Sequence, residues 1–405
     1  MSFEWFVALR FLREGKAQSL LILIGVGVGV GVIVFLSALM NGLQASLIKQ
    51  TLGSQAHVVV RVPDEAPRLH DDGSGAAVAA RVERPAQRVR SIAQWQQVMA
   101  DLDRIPGVLA ASPTVSGAAF ASRGNASRSV ALRGVVPDLF SRIVDVASRM
   151  KQGDFRLLGG DAAIGTELAK DLGVGVGDKI RLVVAEGRAE VFRVGGVFDM
   201  GNKDLNQRWV FVPLRAAQTL LDLSGGVSTV ELKIDEIFQA DAVAAEAAAR
   251  TGLVAESWMK INAQLLVALR SQDSSKLMIQ FFVIVAVALG IASVLVVSVV
   301  QKSREIGILR AVGTSTKRVM RVFLIQGALV GLTGSALGSA LGAALASFFA
   351  SLVKNADGSP TFPVDLSPRL FLQAALIATV TGLSAAVVPA RRAARLDPAT
   401  AIRYG

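Results

Sequence analysis

The chain has 405 residues, of which 52% are hydrophobic and 19% are charged, and its formal net charge is +11. A mean hydropathy of +0.49 argues against a wholly soluble protein and against a disordered chain. There is no cysteine, which excludes a disulfide framework, a thiolate metal site and a cysteine nucleophile. His57 and His70 are the only histidines, which argues against a multi-histidine metal site.

At the start of the chain, four aromatic side chains lie beside two arginines over residues 3–13. This pattern suits a short helix lying in a membrane interface, with its rings among the lipid headgroups and its cations in water. A simple extension of the first membrane span explains it equally well. The residues concerned are Phe3, Trp5, Phe6, Arg10, Phe11 and Arg13.

Four long segments contain no charged residue, and each has about the 20 apolar residues, or more, that a membrane-spanning helix needs. The first is too long for a signal peptide and ends in a poor cleavage site, so we interpret it as an uncleaved anchor. No charge lies inside any segment, which argues against an ion-coupled transporter. The predicted spans are residues 19–43, 277–301, 322–353 and 370–390.

The basic excess lies beside these spans. Residues 1–18, 302–321 and 391–405 contribute +1, +5 and +3, whereas residues 49–276 contribute only +2. Four spans place the three basic segments on one side of the membrane, and the positive-inside rule makes that side the cytoplasm. Both termini are then cytoplasmic. The large segment, nearly neutral, gives no support to nucleic-acid binding.

The segments outside the cytoplasm are residues 44–276 and 354–369, and the larger is long enough for one or two domains. Its residues 62–90 are rich in Pro, Gly and charge and predict a loop. Helices are predicted over 91–105, with Ser91 as the N-cap, and over 161–172 and 239–250. Strands are predicted over 129–135, 179–184, 189–197, 208–212 and 228–234. The domain is therefore expected to be mixed α/β.

Catalytic motifs are missing from this domain. Neither G-x-S-x-G nor H-E-x-x-H occurs, and residues 172–179 lack the G-K-[ST] ending of a phosphate loop, so they predict a turn before a strand. The carboxylates of Glu167, Asp171 and Asp178 are interpreted as solvated surface groups. We expect no catalytic residue, no bound metal and no ATPase module in the chain.

Glycines recur at small-xxx-small spacing in the third span, which lets helix backbones approach closely in lipid. The predicted packing glycines are Gly327, Gly331, Gly334, Gly338 and Gly342.

Residues 302–321 place apolar side chains in an otherwise charged loop: Ile306, Ile308, Leu309 and Val312. Gly313 ends the predicted helix, and Thr314 or Ser315 can cap the next one. An amphipathic helix of this kind fits a groove on a partner, a lipid surface or the chain's own spans.

The stretch REIGILRAVG over residues 304–313 resembles the inner-loop signature of ABC permeases of the macrolide-exporter and lipoprotein-releasing superfamily. The order of one span, a large outer domain and three spans agrees, as does the ending over residues 389–403. Residues 39–42, 322–328 and 401–404 are most similar to the lipoprotein-releasing branch. The resemblance implies an α-helical membrane protein with four transmembrane helices and a mixed α/β periplasmic domain inserted between helices 1 and 2, in the bacterial inner membrane.

The resemblance also implies partners and sites. Such permeases pair, as a homodimer or with a paralogue, and bind two copies of an ATPase that holds the ATP and Mg²⁺, so no cofactor is expected on this chain. A periplasmic lipoprotein carrier or adaptor is a further possible partner. Residues implied to contact the ATPase are Arg304, Glu305, Ile306, Gly307, Leu309 and Arg310. Residues implied to line a cavity for acyl chains are Met40, Leu43, Leu47, Phe281 and Val285.

Extrusion of lipoproteins from the inner membrane is the function that this resemblance favours. Three alternatives stay open: efflux of another amphiphile or peptide, signalling without transport to cell-wall hydrolases, and a free-standing membrane-anchored enzyme or adhesin. The missing catalytic motifs count against an enzyme, and the inner-loop signature counts against an adhesin.

Overall fold

The computed structural model describes residues 3–14, 16–64, 90–352 and 363–397. These residues form two compact units. The helical unit comprises the chain up to Ile48 and from Val267 onward, and the α/β unit comprises Lys49–Leu266.

The helices, in chain order, are α1 (Phe3–Glu14), α2 (Lys16–Leu52), α3 (Trp95–Leu102), α4 (Pro137–Ile143), α5 (Thr166–Leu172), α6 (Lys203–Arg208), α7 (Leu214–Leu220), α8 (Ala240–Thr251), α9 (Trp258–Ile261), α10 (Ala263–Gln301), α11 (Ser303–Ala311), α12 (Thr316–Leu352) and α13 (Pro368–Ala394). The strands are β1 (Val58–Arg61), β2 (Val108–Arg123), β3 (Ala126–Val135), β4 (Met150–Gly153), β5 (Asp161–Gly165), β6 (Lys179–Val184), β7 (Ala189–Phe198), β8 (Trp209–Pro213), β9 (Thr229–Ile234) and β10 (Val254–Ser257).

Among the described residues, four helices are long and apolar enough to cross a membrane: α2, α10, α12 and α13. Each overlaps one predicted span, and α2 and α10 run well beyond it, because charged and amide residues continue their helical turns. The N-terminal segment forms helix α1, over Phe3–Glu14. Its buried face, formed by Val7, Ala8 and Phe11, belongs to an apolar cluster with α12.

The α/β unit is built on one ten-stranded sheet in the order β10-β1-β9-β2-β3-β8-β5-β7-β4, with β6 pairing both β2 and β7. Only β3–β8 and β5–β7 are parallel among the pairs described. The long strand β2 pairs β9 through its first half and β6 through its second. The unit's mixed α/β character is therefore confirmed.

Several local predictions for this unit were wrong. Residues 161–165 are strand β5 rather than helix, because they pair with β7 on one side and β8 on the other, and all five residues are buried. Ser91 does not cap α3, whose N-cap is Gln94, since Ile92 instead pairs with Val227 in a β-bridge. Strand β2 was missed altogether, because its many small residues hide the alternation of its side chains. The loop predicted over 62–90 lies mostly outside the described residues.

Candidate functional site

One end of the helical unit carries its basic loop, and we call it the basic end, defined by residues 302–321. Here α1, α11 and the ends of α12 and α13 share one apolar cluster. Ile306 of α11 is 1% exposed within it and Phe323 of α12 is also 1% exposed. Arg310 of α11 donates a hydrogen bond to the carbonyl oxygen of Leu396, just after α13. The short helix α11 is therefore attached to the rest of the unit from two sides.

The residues predicted to contact an ATPase divide between two faces of α11. Ile306 and Gly307 are buried within the chain, and Leu309 and Arg310 are half-buried. Arg304 and Glu305 are exposed. The helix also exposes two apolar side chains that were not in the predicted contact set, Ile308 at 48% and Val312, just after the helix, at 84%. Their i, i+4 spacing puts them on one face, and this signal was present in the sequence.

A charged network connects α1 to α11. Lys302 donates hydrogen bonds to Glu14 of α1 and to Glu305 of α11, and its ammonium lies 5.0 Å from the centre of the Phe11 ring. Arg10 donates to the other oxygen of Glu14 at 2.8 Å. The hydrogen bonds from Arg10 and Lys302 lower the pKa of Glu14 to about 2. Glu14 therefore stays ionised between two cations and connects the N-terminal helix to the basic loop.

The glycine stripe of α12 meets two different neighbours. A Cβ added at Gly327 would lie 2.4 Å from the carbonyl oxygen of Gly382 in α13, and one added at Gly331 would lie 2.4 Å from that of Ala378. The next three glycines, Gly334, Gly338 and Gly342, would place a Cβ 2.5–2.8 Å from atoms of Val26, Gly27, Val30, Gly31 and Val34 in α2. Glycine is therefore required along α12 for its close approach first to α13 and then to α2. Gly382, the counterpart of Gly327, was missed although Ala378 and Ala386 flank it at the same small-xxx-small spacing.

At the opposite end of the unit, amide side chains connect α2 to α10, and we call this the amide end. Four side-chain contacts run antiparallel between the helices: Ser37–Gln280 at 3.4 Å, Met40–Gln272 at 2.7 Å, Asn41–Lys276 at 2.9 Å and Gln44–Asp273 at 2.9 Å. Polar contacts of this kind join helices where apolar packing alone gives little specificity.

Gly42 of α2 allows a second close contact at the amide end. A Cβ at this position would lie 1.9 Å from the carbonyl oxygen of Pro363, so only glycine permits the segment before α13 to rest on α2. The amide N–H of Asp365 donates to the carbonyl oxygen of Ala38 and fixes the same contact. This glycine ends the LMNG stretch that carried part of the family resemblance.

The predicted acyl-chain residues are distributed around this end rather than gathered in one cavity. Met40, Leu43 and Leu47 are half-buried on α2, whereas Phe281 and Val285 of α10 are 62% and 38% exposed. The cavities described between the helices have other linings. A cleft of about 550 Å³ separates α2 from α10 nearer the basic end, and only apolar residues and glycines line it. A second cavity, of about 420 Å³, lies at the amide end among α2, α10 and α13.

Several charged groups of the α/β unit are held in ion pairs. The carboxylates noted in the sequence pair with bases: Glu167 with Lys170, Asp171 with Arg128 and Asp178 with Arg123. No group of three or more His, Asp or Glu residues in the described part of the chain could hold a metal ion.

A more buried pair joins Arg133 of β3 to Glu231 of β9, whose side chains are 13% and 7% exposed. The guanidinium of Arg133 also lies 4.8 Å from the centre of the Trp209 ring. This pair connects strands that flank β2, which is a structural role.

Comparison with known proteins finds two family models that together match most of the chain. The model described as "MacB-like periplasmic core domain" matches residues 19–250, and the model described as "FtsX-like permease C-terminal" matches residues 277–398. The lipoprotein-releasing system transmembrane protein LolC of Neisseria meningitidis is 28% identical over 338 residues, covering 76% of this chain and 81% of that protein. LolC of Xylella fastidiosa strain Temecula1 is 26% identical over 394 residues, covering 91% of this chain and 89% of that protein.

A shorter match involves a different relative. The macrolide export ATP-binding/permease protein MacB of Escherichia coli K12 is 37% identical over 114 residues, which is 28% of this chain and 17% of that protein. The MacB-like model alone spans more than half of the 405 residues. The chain therefore belongs to the family of permeases that combine a MacB-like periplasmic core domain with an FtsX-like permease C-terminal region.

Proposed function

We propose that this chain is the membrane subunit of an ABC transporter that releases lipoproteins from the bacterial inner membrane, using ATP hydrolysed by a separate subunit. The observation that carries this proposal is the similarity to LolC proteins over as much as 91% of the chain. The shorter similarity to MacB supports the same architecture, in which a permease is driven by an ATPase.

The basic end faces the cytoplasm in this proposal. Residues 302–321 carry a net charge of +5, and the positive-inside rule places such a loop on the cytoplasmic side. The helices α2, α10, α12 and α13 then span the inner membrane, and both termini are cytoplasmic. The α/β unit, inserted between the first two spans, is periplasmic.

The ATPase contact is proposed on the exposed face of α11. Ile308 and Val312 present apolar surface in a charged loop, and Arg304 and Glu305 flank it. An apolar pair surrounded by charges fits a groove on a partner that has a polar rim. ATP and Mg²⁺ would be bound by that partner, of which we propose two copies.

The opposite face of α11 transmits the movement. Ile306 and Arg310 attach α11 to α12 and to the end of α13, and Lys302 connects it to α1. A force on Ile308 would therefore act on α1, α12 and α13 together. The permease would function as a pair with a second permease, and a periplasmic carrier or adaptor would receive the substrate.

Purification of the chain with its ATPase in lipid nanodiscs tests the function. Addition of a lipoprotein should stimulate ATP hydrolysis and release acylated protein to a soluble carrier. Stimulation only by a peptide or a drug-like amphiphile would instead indicate an efflux permease. Stimulation only by a partner that activates cell-wall hydrolases would indicate signalling and contradict the proposal.

The coupling surface has its own test. Ile308→Asp should lower the amount of ATPase that co-purifies by about tenfold or more, because a charge would be buried in an apolar contact. Ser315→Asp places the same charge in an exposed position of the same loop outside α11, and its ATPase binding should stay close to that of the unchanged chain. Equal binding by both variants would remove Ile308 from the interface.

A further inference from the structure

The cavity at the amide end is amphiphilic. Its volume is about 420 Å³, within the range of small-molecule sites. Ser37, Asn41, Lys276 and Gln280 form its polar part, on α2 and α10. Ile33, Leu370 and Ile377 are among the residues of its apolar part. The helix α13 contributes one amide, Gln373, to the lining.

The polar part of the cavity contains hydrogen-bond donors that have no partner among the described residues. An ammonium has three N–H groups, and Lys276 uses one for Asn41 Oδ1 at 2.9 Å, with no second partner among the described residues. Lys276 is also the only charged residue that lines the cavity as described. The nearest carboxylate along α10, Asp273, accepts a hydrogen bond from Gln44 and does not line the cavity. The polar part therefore favours an anion that accepts hydrogen bonds.

The rim of the cavity is apolar and exposed. Leu277 of α10 is 64% exposed and Leu376 of α13 is 65% exposed, and both line the cavity. Lys276 is the last charge before the uncharged stretch of α10, so it lies where that helix enters the membrane. The opening between α10 and α13 would therefore face hydrocarbon rather than water.

We propose that this cavity binds one phospholipid of the outer leaflet of the inner membrane, with its phosphate against Lys276 and the amides and the start of an acyl chain along Ile33, Leu370 and Ile377. The inference rests on the proposed membrane orientation but not on lipoprotein release. Basic pockets between membrane helices are suited to lipid headgroups. A free phosphate ion would fill only the polar part, and a lipid without phosphate would leave the ammonium without an anionic partner.

Native mass spectrometry of the purified full chain, without the ATPase, tests this proposal. The chain in detergent is exposed to phosphatidylglycerol, or to diacylglycerol with the same acyl chains. We expect one bound phosphatidylglycerol and little bound diacylglycerol. Lys276→Gln should weaken phosphatidylglycerol binding about tenfold, since a charge-assisted hydrogen bond is lost, and Lys276→Arg should restore much of it. Arg270→Gln removes a charge from an exposed position of the same helix that does not line the cavity, and it should change nothing.

A second pair of variants separates binding from any loosening of the helices. Leu376→Trp should obstruct the cavity and reduce phosphatidylglycerol binding. Leu372→Trp, one turn earlier on α13 and 71% exposed, does not line the cavity and should leave binding intact. Equal occupancy by diacylglycerol, unchanged binding in Lys276→Gln, or displacement of the lipid by inorganic phosphate alone would each overturn the proposal. Because no ATPase or lipoprotein is present, this result is independent of the transport assay.

Discussion

Replacing Gly327 by alanine tests the helix contacts of the membrane unit directly. The added Cβ would lie 2.4 Å from the carbonyl oxygen of Gly382 and 2.6 Å from the Cβ of Ala386. Ordinary Cβ contacts begin at 3.4 Å, so α12 and α13 would have to separate locally by about 1 Å. Gly290 in α10 is the matched control, because a Cβ there would meet nothing within 4 Å.

The magnitude follows from three terms. A gap of about 1 Å forfeits up to about half of the dispersion attraction across the contact, and forced overpacking typically costs about 1–3 kcal/mol. Alanine recovers up to about 1 kcal/mol through its higher helix propensity, in Gly327→Ala and in Gly290→Ala alike. We therefore expect the free energy of unfolding of Gly327→Ala to be about 1–3 kcal/mol below that of Gly290→Ala.

Unfolding in mixed micelles, followed as the fraction of denaturing detergent rises, measures the two variants side by side. The unchanged chain fixes the reference, and circular dichroism verifies that both variants keep their helices at the start. If Gly327→Ala proved as stable as Gly290→Ala, α12 and α13 would not approach each other at this point, and the argument for the glycine stripe would fail.

Three further predictions concern buried and charged groups. The ionised form of Glu14 stabilises the fold above the ordinary glutamate pKa of about 4.3. This contribution should be lost as the pH falls from about 4.3 towards about 2, the pKa of Glu14 in the folded chain. In an acid titration of stability, Glu14→Gln should lack this loss. Burial lowers the pKa of His57, so acidification below about 6.5 should destabilise the α/β unit, and thermal unfolding of His57→Gln should depend less on pH over that range. Glu231→Ala leaves Arg133 buried without its partner and should cost about 3–5 kcal/mol in denaturant unfolding, whereas the double variant with Arg133→Met should recover part of the loss.

The membrane helices could be predicted from the sequence because the signal is one of composition. A helix that spans the hydrocarbon core needs about 20 apolar residues without a charge, and the helices and strands of a soluble domain need no uncharged run of that length. The ends of the helices were less predictable. Amide and charged residues extend α2 to Leu52 and begin α10 at Ala263, and these residues form helix as readily as they form loops.

The sequence predicted where the candidate sites lie along the chain, but it did not predict which of their side chains are exposed or which residues they contact. The amphipathic pattern of residues 304–313 identified α11 but could not tell which apolar residues the chain itself covers. That division depends on α1, α12 and α13, which enclose Ile306 in one apolar cluster and leave Ile308 exposed. The contacts at the amide end join residues more than 200 positions apart, so no local spacing could reveal them.

The contacts of the four long helices differ in how easily they can be rearranged. The glycine contacts of α12 fit backbone against backbone, and separating them forfeits many close contacts at once. The contact of α10 with α2 at the amide end depends on single polar side chains, which contribute only about 0.6 kcal/mol each in a membrane protein. In addition, α10 is the least buried of the four, with 17% of its most apolar stretch buried against 28–44% for the others. We therefore expect α10 to move relative to α2 during the ATPase cycle.

Because the chain has no cysteine, this movement can be blocked at one chosen place. Gln44→Cys and Asp273→Cys, whose side chains meet at 2.9 Å in the unchanged chain, would be joined by a short thiol-cleavable bismaleimide. The crosslinked protein should still bind its ATPase but should lose ATP-driven release of lipoprotein, and cleavage of the linker should restore release. Each single-cysteine variant treated with the same reagent controls for the modification itself. If the crosslinked protein released lipoprotein at the uncrosslinked rate, the contact between α2 and α10 would have to stay closed throughout the cycle, and the movement would have to lie between α12 and its neighbours instead.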